Sequence, residues 1–161
     1  MKTISLFFTF FICCSAQAEI TLKDPAATCV AMNEIGLKTR GWKDRGSSDY
    51  GCSSPYKDIG SGYPLPNNLA FYAEGEKSSV KLVKLVLNVN KTEHAKTGHE
   101  ALLHAAGILS EKATGQPLSK TLKAALSSGK SVTEKLGNSK ITVIRDNWPT
   151  GLGYEVKIVF E

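Results

Sequence analysis

Val80-Lys-Leu-Val-Lys-Leu-Val-Leu-Asn-Val89 is the stretch on which the fold turns, because seven of its ten residues are Val or Leu. In period-two alternation Val83, Leu85, Leu87 and Val89 fill one face, while Val80, Leu82 and Val86 take the other. A strand apolar on both sides belongs in the interior of a sheet. Immediately before it, residues 69–74 read as a partner strand, joined through Gly75-Glu-Lys-Ser78. Further back, residues 37–44 and 49–56 read as a hairpin. Residues 58–66 are too rich in Gly and Pro for regular structure and are expected to form a loop. Asp24-Pro25 opens a helix as cap and first-turn proline, with Ala26, Ala27, Val30, Ala31 and Ile35 as its apolar side and Gly36 as its stop.

Downstream the period changes. Between Thr92 and Ala113, apolar residues at Ala95, Leu102, Ala106, Leu109 and Ala113 mark a helical stripe, with His99 occupying the vacant slot. A second helix is expected over residues 117–128, with Leu118, Leu122 and Leu126 inward and Gly129 ending it. Residues 141–146 and 154–160 alternate as strands, linked by Asn147-Trp-Pro-Thr-Gly-Leu-Gly153. The order helix, four strands, two helices, two strands predicts an α+β domain. Its antiparallel sheet has about six strands, with helices packed on one face.

The N-terminus reads as a signal peptide over residues 1–18: Lys2, an apolar run from Ile4 to Cys14, then Ala16-Gln-Ala18 before Glu19. The run is too short to span a bilayer, and no later segment is long enough. Bulky residues precede Cys13, which disfavours lipidation there. Cleavage after Ala18 discards Cys13 and Cys14 and leaves one domain, residues 19–161, with Cys29 and Cys52. In an oxidising compartment that pair is expected to form a disulfide. The formal charge is +5; losing Lys2 (5 − 1) leaves a modest +4. Such a charge suits an acidic partner outside the cytoplasm without implying nucleic acid.

Several stretches come close to chemical motifs. Ala124-Ala-Leu-Ser-Ser-Gly-Lys-Ser131 matches the relaxed phosphate-loop pattern. A phosphate loop opens a helix and this stretch closes one, so no nucleotide is expected. His99-Glu-Ala-Leu-Leu-His104 is one residue too long for two histidines to share a helix face, and no metal is expected. Three Ser-x-x-Lys matches reflect a chain rich in serine and lysine, and no cofactor is implied. What remains suits contact. Lys38-Thr-Arg-Gly-Trp-Lys-Asp-Arg45 surrounds Trp42 with cations, Arg40 and Lys43 among them, on a face that Lys38, Arg40 and Trp42 would share as a strand. Trp148 and Tyr154 bracket a glycine-rich loop, and Tyr63 lies in the loop before Pro64.

The expectation is therefore an exported, non-catalytic binding protein with a protein partner, in the manner of an inhibitor or immunity protein neutralising a toxin or envelope-degrading enzyme. One alternative is an envelope-associated module holding cell-wall glycan or anionic lipid through Arg40 and Trp42. Another is a small hydrolase assembled from distant residues such as Asp49, Asp58, His99 and His104.

Overall fold

The computed structural model describes residues 19–161; residues 1–18, on which the expected signal peptide, Cys13 and Cys14 fall, lie outside the described residues. Helix α1 (Pro25–Val30) is followed by strands β1 (Lys43–Gly46), β2 (Asp49–Ser53), β3 (Lys57–Ile59), β4 (Asn67–Glu76) and β5 (Ser79–Val89). Then come α2 (Ala95–Thr114), α3 (Lys120–Ser128), β6 (Val132–Leu136), β7 (Ser139–Asn147) and β8 (Tyr154–Phe160). All strand pairs are antiparallel, in the order β1-β2-β4-β5-β8-β7-β6, with β3 also on β4. This is the expected α+β class, with eight strands instead of about six and three helices packed against the sheet.

The two additional strands are short and half polar. β3 (Lys-Asp-Ile) continues the line of β2 along the same edge of β4, and β6 (Val-Thr-Glu-Lys-Leu) is an edge strand. Between β2 and β3, Ser54 closes the gap: its N–H donates to the Phe71 carbonyl (2.9 Å) and its hydroxyl accepts from the Phe71 N–H (3.0 Å). Backbone groups in the sheet interior are thereby satisfied although Pro55 follows.

β5 lies inside the sheet, between β4 and β8. Val83, Leu85, Leu87 and Val89 are fully buried beneath the helices with Phe71, Val156, Ile158 and Phe160. Val80 departs from simple alternation and joins this core face. The register explains it: Glu74 pairs with Leu82 and Gly75 with Val80, so Lys81 is one extra residue, a β-bulge that returns Val80 to the inner side. The partner at the bulge has to be glycine, because a Cβ on Gly75 would collide with the Ser79 carbonyl oxygen.

The segment before β1 also differs from expectation. Strand structure begins only at Lys43, since Gly41 has φ +80°, a left-handed conformation that interrupts an extended chain. In α1 the inward residues are Thr28 and Cys29, and Val30 is 57% exposed. The disulfide sets this orientation: Cys29 joins Cys52 of β2 and both are buried. Asp24 caps the helix by accepting from the Ala27 N–H at 2.7 Å.

Among the described residues the other sheet face carries no helix. Tyr72 donates to the Tyr56 hydroxyl (3.2 Å) and lies under the Lys84 ammonium, which pairs with Glu74 at 2.8 Å. Lys157 bridges Glu155 and Asp146. Burial, then the bond to Tyr56, push the Tyr72 phenol above its ordinary range. The bond to Glu155 leads the causes that raise Lys157. Both folded-state values exceed the unfolded ones, so their contribution is complete below about pH 10 and is lost as pH rises through the folded values. Thermal stability should therefore be flat across neutral pH and fall above about pH 10. Tyr72→Phe should make that decline shallower, and an unchanged alkaline slope would refute the assignment.

Candidate functional site

Two loops meet at one end of the sheet, where β4 begins and β5 ends. Residues 60–66 bring up Tyr63, Pro64 and Leu65; the β7–β8 hairpin brings up Leu152. Tyr63 is 92% exposed, Leu65 59% and Leu152 76%. Leu65, Pro64 and Leu152 line a cavity of about 430 Å³ with Asn90, Lys91, Thr92 and Glu93. Burying apolar surface is the dominant driving force in most protein association, so side chains held out in this way are available to a partner.

Asparagines hold the first loop. Asn67 accepts from the Lys91 N–H (2.7 Å) and donates to the Lys91 carbonyl (3.1 Å). Asn90 donates to the Pro66 carbonyl (2.6 Å), and Asn88 donates to Asn68 (2.9 Å). Asn67 is 1% exposed, so its two bonds form away from competing water. In the second loop the Trp148 N–H donates to the Gly153 carbonyl (3.1 Å), and the Gly151 N–H donates to the Trp148 carbonyl (2.9 Å). The half-buried Trp148 ring lies so close over Gly153 that a Cβ there would be 2.7 Å from it.

Beneath the hairpin, His99 joins three elements. Its Nδ1 is 2.5 Å from the Leu126 carbonyl oxygen, an acceptor only, so Nδ1 carries the proton in the neutral ring. Nε2 then accepts from the Tyr154 hydroxyl at 2.9 Å. The Arg145 guanidinium stacks 3.5 Å over the Tyr154 ring. The end of α3, the second turn of α2 and the base of the hairpin are thus bolted together through His99 and Tyr154. A cavity of about 460 Å³ lies over this cluster, bordered by Leu103, Ser127 and Ser128.

The structure separates the residues singled out in the sequence. Tyr63 stands at the loop end. Trp148 lies against its own hairpin, and Tyr154 is in the core on His99, 7% exposed. Arg40 and Lys43 border one hollow with Arg45, whereas Trp42 lines a different cavity with Lys38 and Val30; Gly41 lies between and borders both. Sequence reasoning did not single out Leu65 and Leu152. Their signal was present: each is a large apolar residue next to Pro or Gly in a segment with no helical or strand period.

Of the residues considered for hydrolysis, His99 has both nitrogens engaged by the Leu126 carbonyl and the Tyr154 hydroxyl. His104 is exposed on α2 and Asp49 is exposed at the start of β2, whereas Asp58 pairs with Asn68, at a register position facing away from the helices. These groups do not converge. Among the described residues no three His, Cys, Asp or Glu side chains cluster as metal ligands. Gly129, at φ +63°, closes α3 with its N–H on the Ala125 carbonyl, so the stretch resembling a phosphate loop ends a helix. No family model matches the chain, and neither a curated protein nor a solved structure is significantly similar to it.

Proposed function

We propose that the protein is an exported, non-catalytic binding protein whose contact surface is the loop end formed by Tyr63, Leu65 and Leu152. It acts on a protein partner in the manner of an inhibitor or immunity protein. The observation that carries this reading is three large apolar side chains held in solvent on loops braced by asparagines and by the His99–Tyr154 pair. A braced loop loses little conformational freedom on binding, which favours affinity. Export is supported by the buried Cys29–Cys52 disulfide, which persists in an oxidising compartment. No helix among the described residues is long and apolar enough to cross a membrane.

The test is affinity capture from an envelope extract. Wild-type protein should retain one stoichiometric protein. Tyr63→Ala and Leu152→Asp should each weaken that complex by at least about thirtyfold, the scale of an interface hot spot, with unchanged circular dichroism. Retention of the same partner at wild-type affinity by both variants would remove the loop end from the interface.

A further inference from the structure

The opposite end of the sheet has a different chemistry. Trp42 is half-buried, and its indole N–H donates to the Lys77 carbonyl in the β4–β5 turn (3.2 Å), which fixes the ring. With Pro25, Ala26 and Val30 of α1 it lines a cavity of about 630 Å³. Val30 is 57% exposed, an apolar side chain left without a partner on a helix pinned by the disulfide. Across Gly41 lies the hollow bordered by Arg40, Lys43 and Arg45.

Cations hold a small excess at this end: Lys38, Arg40, Lys43 and Lys77 stand against Asp24, Asp44 and Asp49, while Glu74 and Glu76 are held in ion pairs. Asp24 caps α1, and Asp44 accepts from the Gly46 N–H. Glu74 holds Arg45 and Lys84, and Glu76 holds Lys81. By contrast Lys38, Arg40 and Lys43 are exposed and form no ion pair with a carboxylate among the described residues. Tryptophan beside an exposed aliphatic residue, with Lys38 on the same cavity and Arg40 and Lys43 on the hollow adjoining it across Gly41, matches the layered chemistry of a membrane surface. The amphipathic indole sits at headgroup depth and the cations sit on anionic headgroups.

We infer that the α1–Trp42 end docks on an anionic lipid surface, with Lys38, Arg40 and Lys43 on the headgroups and Trp42 and Val30 at the interface. The geometry gives this a consequence. β4 runs ten residues between the two ends, roughly 30 Å at strand rise. A molecule docked through Trp42 presents Tyr63, Leu65 and Leu152 away from the membrane. The docking does not depend on the loop-end reading, and Leu152→Asp should leave it unchanged.

The test is cosedimentation of residues 19–161 with phosphatidylglycerol–phosphatidylcholine vesicles and with pure phosphatidylcholine vesicles. Binding should require phosphatidylglycerol and weaken as sodium chloride rises. Arg40→Ala with Lys43→Ala should lower the apparent affinity about thirtyfold, since each cation near such a surface contributes roughly a factor of five. Lys120→Ala with Lys123→Ala, which removes two exposed cations of α3, should change it little. In Trp148→Phe protein the remaining Trp42 emission should shift to the blue on anionic vesicles. Equal loss in both double variants, or no binding to anionic vesicles at low salt, overturns the inference; retention on insoluble cell-wall glycan without vesicle binding transfers the surface to a glycan ligand.

Discussion

Phe71→Ala should cost about 4 kcal/mol of folding stability, within the range for truncating a buried Phe. Phe71 lies in the middle of β4 with none of its surface exposed, paired with Leu85 and under the helices. Truncation leaves a void that neighbours tied into the sheet ladders cannot collapse to fill. Tyr72→Ala is the internal control. The adjacent side chain points to the open face, where it touches Tyr56 and Lys84, and its loss should cost about 1 kcal/mol. Urea unfolding of the two variants measures both. Comparable losses would mean that the open face is covered in the native protein or that the strand's faces have been assigned incorrectly.

Removing the clamp by replacing Cys29 and Cys52 with alanine should cost about 3 kcal/mol. The bridge closes a loop with a sequence separation of 23, and the chain-entropy relation gives that figure for such a loop. The loss should be local in its structural effect. α1 and the Trp42 cavity depend on the bridge, since Cys29 lines that cavity and its carbonyl accepts from Thr39 (2.9 Å). The loop end is braced by Asn67, Asn90 and His99 instead. Well below its lowered melting temperature, the double variant should lose vesicle binding while still capturing the partner of Tyr63 and Leu152. A melting temperature equal to that of wild type would mean that the clamp contributes nothing to folding.

Much of the scaffold was readable because it follows from periodicity and from simple chemical constraints. The apolar run 80–89 placed a central strand, the gap in the stripe of the long helix placed His99 at the core boundary, and Gly129 marked a helix end. Failures came where one residue overrode a pattern. The extra Lys81 returned Val80 to the core face, and Gly41 broke the strand alternation, so that Arg40 and Trp42 border two adjoining hollows instead of one strand face. β3 and β6 escaped notice because edge positions require only half an apolar pattern. Tyr154 borders a glycine-rich loop in the sequence but is buried in the structure. It stands two, four and six residues before Val156, Ile158 and Phe160, all of them buried, so the period of its own strand already directed it inward. The loop end was the least legible part. Leu65 and Leu152 obtain their meaning from lying on the same cavity, and their sequence separation hides that proximity.

The central claim, that the end bearing Tyr63 and Leu152 is the contact surface for a protein partner, is tested most directly by photo-crosslinking in cells. A photoreactive phenylalanine analogue at Tyr63 should give one discrete adduct containing a second protein. The same analogue at Lys135, exposed on the edge strand β6, should give none. Absence of an adduct from Tyr63 while Lys135 yields one would contradict the account and move the interface to the sheet edge.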